Sequence, residues 1–357
     1  MLRVGFDVTG LPLDAGGTSC AARGLRAALQ ARDDVEVVPL AQPLRRATGR
    51  LARGLARELV WYPVGLPRRA RAARVDVLHC PAPLAPPRRT RVPVVLTVHD
   101  VYAVERPEWF TRANALHARH VLPRAARAAS VVVTSSEHSR GRIASRLAVD
   151  PDRIVVAPPG VDGRFAPGRV ADGLLARIGV GERPYVLAVG TMQPRKNVRA
   201  VVAAVERLAA AGAPHHVVVA GPRGWRDEGL SGERVHVAGH VDDDELVALY
   251  RGADCLAFLS LGEGFGLPAL EAMACGTPVV ASDRSSLPEV VGDAGVLADP
   301  EDDAAITAAL EGVLGSPDRR AELRERGLRR AQSFTWARCA QLTLGAYERA
   351  VRDTRRR

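Results

Sequence analysis

The 357-residue sequence contains very little lysine: Lys196 is its single lysine, against 49 arginines. Because the compact ammonium of lysine and the planar guanidinium of arginine are not interchangeable, a lysine kept in such a background is a candidate for selection, although survival by chance is the alternative. Aromatic residues are also scarce, at 4% of the chain. The arginines are not interleaved with aromatics, which argues against an arginine-rich nucleic-acid binder that stacks bases.

Cysteine and long apolar runs are scarce as well. The five cysteines are scattered, odd in number and without the spacing of metal ligands, which is typical of reduced thiols in the cytoplasm. No apolar run approaches the roughly 18 residues that a membrane-spanning helix requires. The N-terminus has the pattern of a first β-strand rather than of a secretory signal. The sequence therefore predicts a cytoplasmic protein without a dedicated metal site.

Charge is distributed unevenly along the chain. The formal net charge is +10, but residues 1–165 carry +12 and the remainder carries −2. A basic first half favours an anionic partner there, such as nucleic acid, a membrane surface or a phosphorylated acceptor.

Residues 44–74 contain the most regular part of this basic excess. On a helical wheel the leucines and the first arginines fall on opposite faces, and aromatics and further arginines follow: Leu44, Leu51, Leu55 and Leu59; Arg46, Arg50, Arg53 and Arg57; Trp61 and Tyr62; Arg68, Arg69, Arg71 and Arg74. The pattern indicates either a helix that lies on an anionic membrane surface, peripheral at the inner face of the membrane, or a helix docked on its own domain with a solvated arginine face.

Short apolar runs alternate with longer stretches of helical periodicity, which predicts βαβ units and parallel sheets. The predicted strands cover residues 2–8, 35–39, 75–79, 92–99, 130–135, 154–157, 185–189, 216–220, 235–238, 255–259 and 278–281; helices include residues 21–31, 197–211, 243–251 and 268–274. The series runs twice, divided by the Pro/Gly-rich residues 158–168. We therefore predict an α/β fold of two doubly wound parallel-sheet domains, residues 1–165 and 166–335, facing each other across a cleft. Residues 336–357 are predicted as a helix that packs back toward the first domain.

The densest motif covers residues 261–282, which form a glycine-rich loop, a short helix and a strand. Pro268 suits the first helical position and Gly276 suits the C-terminal cap. The backbone amides of Phe265, Gly266 and Leu267 then lie near a helix N-terminus, where they can bind an anion. Glu271 is predicted in the first turn and Glu263 precedes the loop. Two carboxylates beside a phosphate would repel it, so these glutamates are better explained as hydrogen-bond acceptors for sugar or ribose hydroxyls. The alternative is a helix-dipole role for Glu271 and a solvated loop charge at Glu263.

Other polar groups follow predicted strands. His99 and Asp100 end one strand, where ligands bind in such sheets, and His79 ends the previous one and is a candidate for the acceptor side together with Asp100. Gly16 and Gly17 fall in the predicted turn between the first strand and helix, where a backbone can approach phosphate closely. The aspartates at 242–244 are predicted as a helix N-cap with first-turn acids rather than a metal site.

Taken together, these segments resemble the family-four (group 1) retaining glycosyltransferases of GT-B fold over nearly the whole chain. The matching segments are residues 16–17, 98–100, 133–136, 159–162, 190–197, 239–246, 261–282 and 334–336. The resemblance implies that Glu271 binds the nucleotide ribose, that Glu263 lies against the donor sugar, and that Lys196 binds the diphosphate. It also implies that His99 contacts the donor sugar across the cleft. The remaining donor-site residues it implies are Arg195, Phe265, Gly266, Leu267, Gly190, Thr191, Val241, Gly16 and Gly17.

Two details refine the resemblance. Many members carry an arginine where this chain has Thr191, so Arg195 is the candidate for the second positive charge at the diphosphate. The form of residues 191–197 looks most like the polysaccharide mannosyltransferase branch, which implies GDP-mannose as donor, with a UDP-sugar as the alternative. Catalysis in the family needs no metal or other cofactor. A pyridoxal-phosphate phosphorylase shares the architecture, and Lys196 is the residue that would carry that cofactor.

Overall fold

A computed structural model describes residues 1–9, 16–43, 54, 56–170, 173–224 and 229–356 of the chain. By their internal contacts these residues form two compact units. The first unit comprises Met1–Gly160 together with Thr335–Arg357, and the second comprises Val161–Phe334.

The first unit contains a six-stranded, wholly parallel sheet in the order β2-β1-β3-β4-β5-β6. Its strands are β1 (Leu2–Asp7), β2 (Val35–Leu40), β3 (Val77–Cys80), β4 (Val94–Thr97), β5 (Val131–Thr134) and β6 (Ile154–Val156). The four inner strands are β1, β3, β4 and β5. They are buried almost throughout, because both faces of a parallel sheet are covered by helices. All six predicted strands are present, with ends that differ by at most two residues.

The second unit contains another six-stranded parallel sheet, in the order β12-β11-β10-β7-β8-β9. Its strands are β7 (Tyr185–Val189), β8 (His216–Ala220), β9 (Val235–Gly239), β10 (Cys255–Phe258), β11 (Val279–Ser282) and β12 (Val296–Ala298). This is the strand order of a doubly wound nucleotide-binding sheet, with the reversal between β7 and β10. Strand β12 was not predicted, because its three apolar residues between a glycine and an aspartate are too short a run to indicate a strand.

Helices connect the strands of both sheets. In the first unit they are α1 (Gly16–Gln30), α2 (Leu66–Ala72), α3 (Tyr102–Glu105), α4 (Arg112–His120), α5 (Leu122–Ala128), α6 (Glu137–Leu147) and α14 (Trp336–Arg355). In the second unit they are α7 (Leu174–Arg177), α8 (Val198–Ala210), α9 (Asp243–Gly252), α10 (Leu267–Cys275), α11 (Leu287–Val291), α12 (Asp303–Leu314) and α13 (Pro317–Ala331). Within the described part of the chain, no helix is both long and apolar enough to cross a membrane.

Each sheet separates two apolar clusters. In the first unit, α1 and the C-terminal helix α14 pack on one face, where Leu25, Leu29, Leu344 and Tyr347 are buried together, and helices α2, α5 and α6 cover the other face. In the second unit, α8 and α12 cover one face, while α9, α10 and α11 cover the other. The carboxyl edges of both sheets are thereby left to the loops, which carry most of the polar residues singled out in the sequence.

Helix α1 begins earlier than predicted. Gly16 and Gly17 are its first two residues and are exposed, whereas the sequence analysis placed them in a turn before a helix that starts at residue 21. Gly16 has a φ of +61°, a left-handed conformation that side chains rarely adopt, so glycine suits the point where the chain enters the helix.

The amphipathic segment of residues 44–62 is described only in part. Leu44, Arg46, Arg50, Leu51, Arg53 and Leu55 lie outside the described residues. The part that is described, Arg57–Gly65, is a π-helix that contains Pro63. Trp61 and Tyr62 are buried in the core of the first unit, and the Tyr62 hydroxyl donates to Asp7. Trp61 and Tyr62 are therefore core residues, which agrees with the alternative of a segment docked on its own domain.

Candidate functional site

The glycine-rich loop after β10 leads directly into α10. Gly266 precedes this helix with a φ of +120°, and an added Cβ would lie 2.5 Å from Cδ2 of Leu287, so only glycine fits here without strain. The helix begins at Leu267, with Pro268 in its first turn, and ends at Gly276 in the left-handed conformation, as predicted. The amides of Phe265, Gly266 and Leu267 thus stand at or before a helix N-terminus.

Two serines that the sequence analysis did not identify hold this loop. The Ser286 hydroxyl lies 2.9 Å from the carbonyl oxygen of Glu263 and 2.7 Å from that of Phe265, and the amide of Glu263 donates to Oγ of Ser285. Ser286 is fully buried. The ring of Phe265, itself buried, packs edge-on against Phe334 at a centroid distance of 5.7 Å. The loop conformation is therefore fixed by side chains that follow β11, more than twenty residues away in sequence.

Glu263 is the centre of a buried ion cluster. Its Oε1 lies 2.7 Å from Nζ of Lys196, and its Oε2 lies 3.0 Å from Nη1 of Arg195. All three side chains are only 10–12% exposed. Burial by itself would raise the pKa of Glu263, but Arg195 and Lys196 outweigh it and lower that pKa to about 2. Glu263 is therefore an anion at every physiological pH, and it holds both cations in place.

A short 3₁₀ turn, Pro194–Lys196, presents the two cations. It follows β7 and is closed by Asn197, which has a φ of +53° and donates from Nδ2 to the carbonyl of Pro300. The amide of Leu261 donates to the carbonyl of Arg195, so the turn is also tied to the loop that carries Glu263. Lys196 is further positioned by the ring of Phe258, whose centroid lies 4.8 Å from Nζ.

Glu271 lies one turn into α10 rather than in its first turn, where the sequence analysis placed it. It is buried, and Oε2 accepts a hydrogen bond of 2.9 Å from the hydroxyl of Tyr250, a fully buried residue of α9. Burial raises the pKa of Glu271 to about 7; the Tyr250 hydrogen bond opposes this rise, and the charges of Asp243 and Asp162 add to it. Near neutral pH this carboxyl group therefore exchanges between its acid and its anion.

The other donor-site candidates of the second unit lie near the carboxyl ends of its strands. Gly190 follows β7, and an added Cβ there would lie 3.0 Å from Cε of Lys196, so its lack of a side chain makes room for the lysine. Thr191 comes next and is half-buried, and Val241 follows β9 and packs against the core beside α9. The structure thus brings Gly190, Arg195, Lys196 and Glu263 together.

No metal ligand set accompanies these groups. Asp242 caps α9 in a reciprocal capping box with Glu245, and Asp243 and Asp244 lie in the first turn, as predicted. Across the described ranges, no group of three or more histidine, cysteine, aspartate or glutamate residues is arranged to hold a metal ion.

In the first unit, His99 and Asp100 follow β4. The carbonyl of His99 accepts from the hydroxyl of Ser139, and Oδ1 of Asp100 accepts from the amide of Tyr102. Nε2 of His99 is buried without a hydrogen-bond partner among the described residues, and the ring lines a cavity of about 30 Å³ beside Thr134 and Trp336. Burial lowers the pKa of His99, although Asp100 and the carbonyl of Pro81 oppose the shift, so the imidazole is neutral.

His79 does not face an acceptor, contrary to the prediction. It is fully buried; Nδ1 lies 2.5 Å from the hydroxyl of Tyr347, and Nε2 lies 2.8 Å from Oγ1 of Thr97. Burial lowers its pKa to about 3, so the ring stays neutral. His79 therefore links β3 to the C-terminal helix α14 and to β4, which is a packing role.

Comparisons with known proteins all find similarity to glycosyltransferases. Residues 177–330 match the family described as glycosyl transferases group 1, and residues 15–164 match glycosyltransferase family 4. O-antigen chain mannosyltransferase B of Escherichia coli is 35% identical over 76% of this chain and 74% of its own length. D-inositol 3-phosphate glycosyltransferase of Salinispora tropica is 36% identical over 75% of this chain and 61% of its own length. MMP α-(1→4)-mannosyltransferase of Mycolicibacterium hassiacum is 35% identical over 64% and 56%, respectively.

Solved structures share the fold along nearly the whole chain. Sucrose-phosphate synthase of Thermosynechococcus elongatus superposes with a TM-score of 0.76 at 20% identity and covers 98% of both chains. HepE of Anabaena, solved in complex with UDP and glucose, superposes with a TM-score of 0.73 at 19% identity and covers 97% of this chain and 99% of its own. At such identities the likeness establishes the fold.

Proposed function

Because the chain belongs to the group 1, family 4 glycosyltransferases of GT-B fold, and is thus a hexosyltransferase, we propose that it moves a hexose from a nucleoside-diphosphate donor to an acceptor hydroxyl with retention of configuration. The observation that carries this proposal is the buried cluster of Lys196, Arg195 and Glu263 beside the loop amides that open α10. Two cations held in fixed positions next to a helix N-terminus suit a leaving diphosphate.

The roles of the individual groups follow from their surroundings. Lys196, Arg195 and the amides of Gly266 and Leu267 stabilise the charge that develops on the diphosphate as the sugar leaves. Glu263 orients the cations and accepts from a hydroxyl of the donor sugar. Glu271, whose carboxylate is paired with no cation among the described residues, accepts from the ribose hydroxyls. The acceptor attacks from the face that the diphosphate leaves, and the departing phosphate takes its proton, so no carboxylate needs to act as a nucleophile.

We take GDP-mannose as the donor and a glycan or lipid-linked sugar as the acceptor, as in polysaccharide biosynthesis. Support comes from two of the relatives above, which are named mannosyltransferases. A UDP-sugar is the second candidate, since HepE was solved with UDP and glucose. Within this chain, the stretch from Thr191 to Asn197 favours mannose, because it is the segment that resembles the mannosyltransferase branch.

Calorimetric titration of the purified protein with GDP, UDP and ADP tests this proposal, followed by an assay of GDP release from GDP-mannose. We expect GDP to bind most tightly, with a Kd of roughly 1–100 μM, and GDP-mannose to be hydrolysed slowly when no acceptor is present. Tighter binding of UDP would indicate a UDP-sugar as the donor instead of GDP-mannose. Failure of all three nucleotides to bind would contradict a nucleotide-sugar site. An absorbance scan that shows no band of bound pyridoxal phosphate would exclude the phosphorylase alternative.

We also propose that the first unit meets an anionic membrane surface through an exposed aliphatic patch, consisting of Leu59, Val60 and Leu116. The π-helix and α4, which carry these residues, are joined by Glu58 and His117, whose Oε1 and Nδ1 lie 3.4 Å apart. Exposed arginines of α2 lie in the same unit: Arg68, Arg69 and Arg71. Exposed apolar side chains together with exposed arginines are the combination that binds anionic interfaces.

Vesicle sedimentation tests this second proposal. Vesicles of phosphatidylglycerol and phosphatidylcholine should pellet the protein, and salt or the double substitution Leu59→Asp with Val60→Asp should reduce pelleting. The matched control is Val237→Asp, because Val237 is an exposed aliphatic residue of the second unit. Equal pelleting by neutral vesicles, or no pelleting at all, would contradict the membrane role.

A further inference from the structure

The segment that follows His99 is unusually rich in aromatic residues. Of the 15 aromatics in the chain, three fall within nine residues: Tyr102, Trp109 and Phe110. All three are partly exposed. The other tyrosines, tryptophans and phenylalanines that the structure describes in the first unit are buried core residues (Phe6, Trp61, Tyr62 and Tyr347), apart from Trp336, whose indole lies over Gly24. In a chain with so few aromatics, this exposed group calls for an explanation outside the core.

Two of these rings form a pair. The centroids of Tyr102 and Trp109 lie 5.8 Å apart at an angle of 39°. The Tyr102 hydroxyl lies 3.3 Å from Nε2 of His138, near the start of α6, and the Tyr102 amide donates to Asp100. The aromatic pair is therefore anchored to the ends of both β4 and β5, at the carboxyl edge of the first sheet, which is where ligands of such sheets bind.

Hydrogen-bonding groups surround the pair. The guanidinium of Arg106 lies over the Trp109 ring, 5.7 Å from its centroid, and the Arg106 side chain is 61% exposed. Asp100 and His138, both half-buried, stand beside Tyr102. The surface thus combines aromatic area with donors and acceptors at its rim. It differs from the aliphatic patch of Leu59, Val60 and Leu116, which has no aromatic component.

A pyranose ring has the complementary chemistry. Its C–H groups carry a partial positive charge and suit the negative face of an aromatic ring, while its hydroxyls project outward to a polar rim. An acyl chain would leave the rim without partners, and a bare phosphate would leave the rings without contact. The class of ligand that uses both parts of this surface is a sugar.

We propose that Tyr102 and Trp109 bind a sugar ring of the acceptor, with Arg106 and His138 as hydrogen-bond partners of its hydroxyls. We call these four residues the acceptor platform. This inference rests on the proposed function and deepens it: the acceptor is a saccharide whose sugar stacks on the first unit next to His99, rather than a lipid alcohol or a small polyol phosphate. The donor groups of the second unit play no part in the platform, so the two can be tested separately.

Fluorine NMR of protein labelled with 5-fluorotryptophan tests the platform without any turnover. The chain has four tryptophans, and the resonance of Trp109 is the one that disappears in Trp109→Phe. Titration with methyl α-mannobioside should shift this resonance in a saturable manner, with a Kd of about 1–10 mM, and should leave those of Trp61 and Trp336 unchanged. Absence of a saturable shift at Trp109, in protein that binds GDP normally, would overturn the platform while leaving the donor site intact.

Kinetics provides the second test, with GDP-mannose as donor and methyl α-mannobioside as acceptor. Loss of one stacked ring should raise the KM for the acceptor about tenfold in Trp109→Ala, and Trp109→Phe should restore most of the affinity. The acceptor-independent hydrolysis of GDP-mannose and the KM for the donor should not change. The matched control is Leu116→Ala, which removes a large exposed side chain from the neighbouring helix α4. An unchanged acceptor KM in Trp109→Ala, or a parallel loss of donor hydrolysis, would contradict the proposal.

Discussion

Two regions of the second unit each contain a buried glutamate. The two glutamates are equally buried, but their neighbouring charges and their pKa values differ. Glu263 and Glu271 are both 8% exposed. Glu263 has Arg195 and Lys196 within 3.0 Å, and its pKa is lowered to about 2. Glu271 accepts a hydrogen bond from the Tyr250 hydroxyl and has the charges of Asp243 and Asp162 nearby, and burial raises its pKa to about 7. Equal burial therefore leads to opposite protonation behaviour, because one region supplies cations and the other does not.

This difference separates the two roles. A carboxylate that never loses its charge can hold two cations at fixed positions, which is what a site for a diphosphate requires before the ligand arrives. A carboxyl group near its pKa is instead sensitive to its ligand, because hydroxyl donors stabilise its anionic form. The Glu263 region is thus suited to charge stabilisation and the Glu271 region to hydroxyl recognition.

The largest effect is expected when the Glu263 region loses a cation. Lys196→Ala removes one of the two positive charges that face the leaving diphosphate, and it should lower kcat for GDP-mannose hydrolysis by about 10²–10³. Lys196→Arg is the matched control; it keeps the charge and should retain more activity than the alanine variant. Circular dichroism checks that the fold is intact. Near-normal turnover by Lys196→Ala would show that Lys196 is not part of the catalytic site.

Stability should respond to the two glutamates with opposite signs. Glu263→Gln leaves Lys196 and Arg195 buried without their counter-ion and should lower the free energy of unfolding by about 3 kcal/mol at pH 8. Glu271→Gln should raise it at pH 8, by on the order of 3 kcal/mol. The reason is that a folded-state pKa of about 7, above the usual value of 4.5, makes the wild-type fold lose stability as pH rises between these values.

Urea denaturation of both variants at pH 5 and pH 8 measures this contrast. The gain from Glu271→Gln should shrink to about 1 kcal/mol at pH 5, where the wild-type carboxyl is protonated in the folded state but is still partly ionised in the unfolded chain at the usual pKa of 4.5. The loss from Glu263→Gln should persist at pH 5, because the folded pKa of Glu263 is about 2. Destabilisation of the same sign by both substitutions would show that the two regions do not differ as described.

A smaller effect is expected on donor binding. The ionised fraction of Glu271 rises about tenfold between pH 6 and pH 8 for a pKa of about 7, so the affinity for GDP-mannose should rise by up to tenfold over this range. GDP-mannose is used because its diphosphate does not titrate there. In Glu271→Gln the affinity should be weaker and independent of pH. A flat profile in the wild type would argue against Glu271 as a ligand of the ribose.

The smallest effect concerns the loop that carries Glu263. Ser286→Ala removes the hydroxyl that bonds the carbonyls of Glu263 and Phe265 and should lower the free energy of unfolding by about 1 kcal/mol, with a severalfold loss in donor affinity. Ser145→Ala is the control, since Ser145 is exposed and its hydroxyl donates to the carbonyls of Gly141 and Arg142 in its own helix. Equal effects of both substitutions would show that Ser286 has no specific role in holding the loop.

Local signals made the second unit predictable. Gly266, Pro268 and Gly276 determine where α10 begins and ends, because each suits one backbone position, and the apolar runs of β7 and β8 give those strands their bounds. The partners of the two glutamates were less accessible. Tyr250 and Ser286 lie more than twenty residues from the atoms they bond, and nothing local in their sequence marks them. A cluster of serines after β11 was the available signal for the latter.

The first unit departs further from its sequence pattern. Trp61 and Tyr62 follow an amphipathic stretch but are buried, because the π-helix turns them toward the core, where Tyr62 meets Asp7. His79 and His99 both end apolar strands, yet only burial and partners distinguish them: Tyr347, which bonds His79, comes from the other end of the chain. Helical periodicity and strand ends therefore indicate which residues are candidates, and long-range packing decides among them.

A crystal structure with GDP-mannose is the measurement that tests the division between the two regions most directly. We expect the ribose hydroxyls within 3.2 Å of the Glu271 carboxylate, and the diphosphate within the same distance of Nζ of Lys196 and the amides of Gly266 and Leu267. Glu263 should remain beside Lys196 and Arg195. A diphosphate bound away from Lys196, or a ribose held by Glu263 instead of Glu271, would contradict the account.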